Sequence, residues 1–294
     1  MLSTPTVIFM TAFFLVSLAS MSQNGLLIVV LGREWMGNRA LSAVDMIVAS
    51  LASSRFCLHG IAILTNLLAF FGFCHQANIV GILWDFTNTF ILWLTAWLAI
   101  FYCVKVSSFS HPALFWLKWR ISWLVPRLLL SSVIMGGLSA IVSTTGNIFA
   151  IRMTVSQGSL GNCTFGHMTL DFLRYYHLSH VLLMWLSPFL LFLVSIISLM
   201  FSLYRHMGKM RGPRPGSHDF RIKAHAMALK TLAAFFIFYV LFFLSLIIFA
   251  TKGKTMQSHW YWAREVIIYT GISLNSVILV FSNPRLRKTL KVRF

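Results

Sequence analysis

Seven long apolar runs divide this chain of 294 residues, and they restrict what it can fold into. A helix rises about 1.5 Å per residue, so roughly 20 apolar residues cover the hydrocarbon layer of a membrane. Each run reaches that length. The pattern predicts an all-α membrane protein, a seven-transmembrane helix bundle that forms a single domain over residues 1–294. The predicted spans are approximately 6–31, 42–71, 79–104, 127–150, 178–203, 228–250 and 263–283.

Composition supports this class, and the distribution of charge predicts an orientation. Mean hydropathy is +0.81, 58% of the residues are apolar and 10% are charged, which excludes an ordinary soluble domain. The net charge of +18 would suggest nucleic-acid binding in a soluble protein. Here 18 of the 24 Lys and Arg residues follow the first, third and fifth spans or lie in the C-terminal tail. Cytoplasmic loops attract such residues, so we expect the N-terminus outside, the C-terminus inside and no nucleic-acid partner.

The connector 151–177 is expected on the outer side, and it carries one N-glycosylation acceptor. This acceptor is Asn162, in the sequence Asn162-Cys163-Thr164. Cys74 and Cys163 are both expected outside and could form a disulfide. The sequence does not show whether they approach each other, so the pairing stays open.

Polar side chains within the apolar runs are expected to face the interior of the bundle, because lipid cannot satisfy them. Arg55 lies in the middle of the second span. Asn24 in the first span, with Asn275 and Ser276 in the seventh, falls at a comparable depth. These groups can satisfy the guanidinium between three helices. The cluster could be a static polar clamp or a conformational switch, and the two interpretations are compatible.

A second polar cluster is predicted nearer the outer surface. Trp84 and Asn88 are four residues apart and share a helix face, with Asp85 one step round from Trp84. Glu265 lies near the outer end of the seventh span. An indole, an amide and two carboxylates suggest a cavity for an amphipathic, even cationic, small molecule. Tyr239 in the sixth span is also a candidate, because a buried hydroxyl needs a partner.

Structural roles compete with ligand binding at three of these positions. Trp84 could belong to an interfacial aromatic belt. Glu265 could complement the positive end of its helix or balance Arg264. Asp85 could pair with Arg174 or His177.

The chain contains none of the motifs that would indicate catalysis, a cofactor or a bound metal. It has no H-E-x-x-H spacing, no phosphate-binding Gly-rich loop, no G-x-S-x-G elbow and no cysteine–histidine metal pattern. We therefore expect a protein that is not an enzyme and that uses no cofactor or metal.

Several different short motifs are distributed along nearly the whole chain. They are Asn24-Gly25, Leu51-Ala-Ser-Ser-Arg55-Phe56, Phe101-Tyr-Cys-Val-Lys105, Phe109-Ser-His-Pro112, Trp116-Leu-Lys-Trp-Arg120, Leu186-Ser-Pro188, Ser202-Leu-Tyr-Arg-His206, His225-Ala-Met-Ala-Leu-Lys230-Thr231 and Ser282-Asn-Pro-Arg-Leu286. In these motifs the chain resembles the bitter taste receptors, the type 2 taste receptor family of G-protein-coupled receptors. The resemblance implies a multi-pass plasma-membrane receptor for small bitter agonists that activates a heterotrimeric G protein of the gustducin type.

The resemblance also assigns roles to individual residues. It implies a pocket among the outer halves of spans 2, 3, 5, 6 and 7, with Trp84, Asn88 and Glu265 at ligand-contacting positions and Tyr239 as a toggle. One departure is Asn275-Ser276 where most relatives have His-Ser, so gating that depends on a histidine is not carried over. The residues expected to face the G protein, or alternatively anionic membrane lipid, are Tyr102, Lys105, His111, Lys118, His206 and Lys230.

Two other functions compete with this interpretation. A vomeronasal-type chemosensory receptor would share the topology and bind pheromone-like ligands. A small transporter or channel would need a polar path, and many carriers are built from two repeated halves. No internal repeat is evident in this chain. The sequence does not predict the oligomeric state.

Overall fold

The computed structural model describes residues 3–37, 42–106, 112–156, 167–210, 229, 232–234, 236–245, 247 and 259–282. Within these residues all regular structure is helical. The elements are α1 (Thr4–Met36), α2 (Ala43–Phe70), α3 (Cys74–Val106), α4 (Pro112–Ser156), α5 (His167–His180), a π-helical turn (Val181–Trp185), α6 (Leu186–Met210), α7 (Leu232–Ser245) and α8 (His259–Ser282).

Five segments in the described part of the chain are long and apolar enough to cross a membrane. They are Thr4–Met36, Ala43–Phe70, Gln76–Lys105, Trp119–Met153 and Tyr175–Arg205. The predicted class of all-α membrane protein is therefore confirmed. The sixth predicted span, 228–250, is described only in part, as α7, and most of the seventh lies in α8.

Local signals set both ends of α2. Its N-cap is Ser42, whose hydroxyl oxygen accepts a hydrogen bond from the backbone N–H of Asp45 at 3.2 Å. At the other end Gly72 adopts a φ of +84°, a conformation that suits glycine. The Gly72 N–H donates to Ala69 O and the Phe73 N–H donates to Leu68 O, which completes a Schellman motif.

Helix α4 begins much earlier than the predicted span 127–150. It starts at Pro112, a residue whose fixed φ suits the first turn of a helix, and it continues through Pro126. The basic residues of this stretch interrupt the apolar run, so hydropathy placed it in a connector, but charged side chains do not end a helix. Trp119 and Trp123 on this segment are strongly exposed.

The fifth predicted span is a helix with one widened turn. The π-helical turn Val181–Trp185 joins α5 to α6, and Pro188 follows it at the third residue of α6. Proline cannot donate to the carbonyl four residues earlier and its ring crowds that group, so a wider turn relieves the conflict. A wider turn rotates the residues before it, such as His180, relative to those of α6 that follow it.

The third helix lies at the centre of the described bundle. It packs against α2, α4 and α6, while α1 packs between α2 and α8. A contiguous apolar core joins these helices through residues such as Phe13, Leu51, Leu92, Phe192 and Trp262. Polar side chains on α3 therefore reach neighbours on several helices, and these contacts build the candidate site.

Candidate functional site

Trp84 lies between α8 and the π-helical turn. Its indole N–H donates to the hydroxyl of Tyr269 at 2.7 Å. Its ring meets Trp185 edge to face, with centroids 6.0 Å apart. Both contacts cross between helices, so the indole is held as a half-buried wall within the bundle.

Tyr269 was not predicted as a site residue, although it holds the Trp84 indole. It is buried, and its ring lies 5.2 Å from the rings of both Phe13 and His59, measured between centroids. One sequence signal could have found it. Tyr269 follows Glu265 by four residues, so the two share a face of the seventh span.

Asn88 lies one helical turn beyond Trp84 and is completely buried. Neither its amide nitrogen nor its oxygen forms a hydrogen bond with any residue that the structure describes. Buried amides are nearly always paired, because an unmade hydrogen bond in an apolar interior is costly. This side chain therefore offers one free donor group and one free acceptor beside the Trp84 wall.

The two acidic candidates make contacts that differ from those of Trp84 and Asn88. Asp85 is buried, and its Oδ2 accepts a hydrogen bond from Ser143 of α4. Glu265 is also buried, and its Oε1 lies 3.2 Å from Nη2 of Arg264. The charge-balancing contact that was considered for Glu265 is thus present.

A chain of polar contacts, also missed from the sequence, ties α3 to α4 and to the fifth span. The Trp185 indole donates to Thr89 Oγ1 at 2.8 Å, and the Thr89 hydroxyl donates to Ser139 Oγ at 2.8 Å. Ser139 Oγ lies 2.8 Å from His180 Nε2. His180 precedes the π-helical turn and Trp185 is its last residue, so these contacts fix the orientation of the Trp185 ring that meets Trp84.

The central polar cluster is only partly joined by hydrogen bonds. Arg55 is 3% exposed, and its Nη1 donates to Ser276 Oγ at 2.9 Å. The amide of Asn24 instead donates to the Ser20 carbonyl of its own helix at 2.8 Å. Asn275 is buried, and its Oδ1 accepts no hydrogen bond within the described residues. The structure thus links Arg55 to Ser276 directly, whereas no hydrogen bond joins the two asparagines to the guanidinium.

Tyr239 of α7 has the hydroxyl partner that its burial demands. Its hydroxyl donates to the backbone carbonyl of Leu92 in α3 at 3.4 Å. Its ring packs on Phe192 of α6, with centroids 4.0 Å apart. Tyr239 therefore connects three helices at one level of the bundle.

Two residues expected at the inner surface lie at the end of α3. Lys105 Nζ lies 5.8 Å from the centroid of the Phe101 ring, and Tyr102 is half-buried. Of the other expected residues, His111, Asn162, Cys163 and Lys230 lie outside the described residues. Lys118, His206 and Cys74 lie on helices of which only the backbone is described at those positions.

Comparison with known proteins gives full-length matches. The model of the taste receptor protein family (TAS2R) matches residues 1–294. Taste receptor type 2 member 143 of Rattus norvegicus is 76% identical and that of Mus musculus 72%, each over 99% of both chains. Taste receptor type 2 member 134 of Rattus norvegicus is 54% identical over 98% of this chain and 86% of its own length.

Proposed function

The chain belongs to the taste receptor (TAS2R) family, and on this premise we propose how it works as a receptor. It is a G-protein-coupled bitter taste receptor and not an enzyme. It binds small bitter compounds among the outer halves of its helices and activates a heterotrimeric G protein. We assign it to the plasma membrane, with gustducin as the G protein.

The proposed topology has seven spans, an outer N-terminus and an inner C-terminus. Five helices long enough to cross a membrane support it, together with α8 and the described part of α7. The distribution of Lys and Arg supports the orientation. In this arrangement Asn162 lies outside, where it can be glycosylated, and residues 1–294 form one domain.

The unpaired amide of Asn88 carries the proposal of a ligand site. An agonist with a hydrogen-bond donor and an acceptor would satisfy both atoms of this amide, and its apolar part would pack on Trp84 and Trp185. Few polar anchors in an apolar cavity are typical of small-molecule sites. Glu265 would attract cationic agonists, with its charge reduced by Arg264, and Asp85 would act through its contact with α4.

Activation follows from the position of Tyr239. An agonist that binds one arrangement of α3, α6 and α7 better than another shifts the population toward that arrangement. Tyr239 contacts all three helices, so we propose that it moves when they rearrange. The Arg55–Ser276 bond holds α2 against α8 during this change. The G protein binds the inner surface that is formed by Tyr102, Lys105, His111, Lys118, His206 and Lys230. The other basic residues on the inner side contact anionic lipid.

Substitution of Asn88 tests the ligand site. Asn88→Leu keeps the side-chain volume but removes both polar atoms, so agonist potency should fall about tenfold or more, as for a buried hydrogen-bonding group that loses its partner. The measurement is calcium release in cells that express the receptor with a chimeric G protein, normalised to surface expression. The same substitution at Asn147, a half-buried residue of α4, is the control and should leave potency unchanged. Unchanged potency of Asn88→Leu across all responsive compounds would contradict the site.

A flux measurement in the same cells separates the receptor from a transporter. Ligand-triggered G-protein activation without net movement of the ligand is expected. Ligand uptake that persists without G protein would instead support a carrier.

A further inference from the structure

The guanidinium of Arg55 is buried in the bundle without a balancing carboxylate among the described residues. Its Nη1 donates to the neutral hydroxyl of Ser276, and its Nε donates to no described acceptor. A guanidinium does not lose its proton in proteins, so burial cannot neutralise it. An uncompensated charge in a low-dielectric interior is far more costly than a neutral polar group.

The carboxylates whose contacts are described are engaged elsewhere. The chain has six acidic residues in all, so the supply of counter-ions is small. The described contacts are those of Asp45 with Ser42, Asp85 with Ser143 and Glu265 with Arg264. No ion pair joins Arg55 to a carboxylate of the described residues, Glu34 included, so we look for its counter-charge outside those residues or in a bound ion.

A second unpaired group lies beside Arg55 on the same helix. His59 is four residues further along α2, so its side chain is a neighbour on the same face. It is completely buried, and neither ring nitrogen forms a hydrogen bond within the described residues. An imidazole carries at least one N–H at any pH, so His59 adds a donor to the donor of Arg55.

We propose that Arg55 and His59 form a buried binding site for a small monovalent inorganic anion of the size of chloride. Arg55 Nε–H and a ring N–H of His59 donate to the anion, and its charge balances the guanidinium. The anion would lie between Arg55 and His59, which are one turn apart on α2, because the unpaired Oδ1 atoms of Asn24 and Asn275 are acceptors and cannot donate to it. The anion then helps to hold α2 against α8, where Arg55 already bonds Ser276.

Thermal stability of the purified full-length chain tests this site without an agonist, so the outcome is independent of the proposed function. The melting temperature is measured in sodium gluconate while chloride replaces gluconate at constant ionic strength. A bound ion stabilises the folded state according to its occupancy, so the melting temperature should rise by a few degrees and saturate. Bromide should give the same rise and sulfate should not. An equal melting temperature in chloride and gluconate, or an equal rise with sulfate, would overturn the proposal.

Substitution of His59 locates the effect. His59→Phe keeps a ring against Tyr269 but removes both nitrogens, so the chloride-dependent rise should be lost. His180→Phe is the matched control, because it removes another buried imidazole, one that already contacts Ser139. Its baseline melting temperature should fall while the chloride-dependent rise remains. A full rise in His59→Phe, or its loss in both variants, would overturn the assignment to Arg55 and His59.

Discussion

Two side chains one turn apart on α3 use their polar atoms differently. The indole N–H of Trp84 is bonded to Tyr269, whereas the amide of Asn88 is bonded to no described residue. A satisfied indole loses no hydrogen bond when an apolar ligand group packs on its face. An unsatisfied amide gains hydrogen bonds when a polar ligand group reaches it. The wall and the anchor of the proposed site are thus separate residues.

The hydroxyl of Tyr269 should matter to agonists that it does not itself touch. Tyr269→Phe leaves the indole N–H of Trp84 without this acceptor, which costs about 1–3 kcal/mol for a buried donor and lets the ring reorient. We expect agonist potency to fall about tenfold with near-normal surface expression. Concentration–response curves in the calcium assay measure the change.

A double-mutant cycle provides the control for this prediction. Trp84→Phe removes the donor of the same hydrogen bond, so the double variant should be little worse than Trp84→Phe alone. Fully additive losses would mean that Tyr269 acts independently of Trp84.

The Arg264–Glu265 pair should determine how the potency of an agonist depends on the charge of that agonist. Arg264→Gln removes the cation that balances Glu265 and should raise the potency of cationic agonists. Glu265→Gln removes the carboxylate and should lower the potency of cationic agonists. Neutral agonists serve as the internal control, since the field of a single charge affects them little. Equal shifts for neutral and cationic compounds would assign both residues to the stability of α8.

At the scale of elements, close packing of α4 on the fifth span depends on one glycine. A Cβ added at Gly146 would lie inside contact distance of the Tyr176 ring, whose hydroxyl donates to Val142 of α4. The same helix approaches α3 closely at Gly136, where an added Cβ would lie 3.0 Å from the Phe86 ring. The small residues of α4 therefore set how near its neighbours can approach.

Gly146→Ala and Gly137→Ala should have opposite effects. The first should push Tyr176 out of its place and lower stability by about 1–3 kcal/mol, as overpacking does. A Cβ added at Gly137 meets no atom within 4 Å, so Gly137→Ala should raise stability by about 0.5–1 kcal/mol through the higher helix propensity of alanine. Melting temperatures of the two purified variants measure the difference. A Gly146→Ala variant as stable as Gly137→Ala would show that Tyr176 moves aside at no cost.

These elements also show which features the sequence could predict. Hydropathy alone predicts the span 42–71, which covers α2, and the structure shows that Ser42 and Gly72 are the local signals that set the ends of this helix. The early start of α4 was not predicted, because Lys and Arg lower the hydropathy of this stretch although both residues are good helix formers. The π-helical turn depends on how Pro188 is accommodated, and no periodicity predicts that.

Contacts between distant helices could be predicted only in part. The Arg55–Ser276 bond was expected because both groups are polar and lie at a similar depth. The Trp84–Tyr269 and Trp185–Thr89 bonds were not expected. They depend on the rotation of each helix about its axis, and an error of one residue turns a side chain by about 100°. A pattern in one helix does not fix the rotation of the next.

At the scale of the whole molecule, the uneven distribution of positive charge predicts how the bundle lies in the membrane. Of the 24 Lys and Arg residues, 18 follow odd-numbered spans or lie in the tail. An odd number of spans is required if the N-terminus lies outside and the C-terminus inside. The apolar surface of the described helices is broadly exposed, as a lipid-facing surface must be. The charge distribution and the odd number of spans both predict an outer N-terminus and an inner C-terminus.

Glycosylation and tag accessibility test this orientation in one experiment. The proposed orientation places the connector of Asn162 outside, so this acceptor should carry sugar and Asn162→Gln should abolish the mobility shift that a glycosidase produces. A C-terminal tag should bind antibody only after permeabilisation, whereas an N-terminal tag should bind on intact cells. Thr164→Ala removes the sequon but keeps Asn162, and it should behave like Asn162→Gln. Antibody binding to the C-terminal tag on intact cells would show that the bundle has the opposite orientation. The basic surface would then lie outside the cell and could not bind a cytoplasmic G protein.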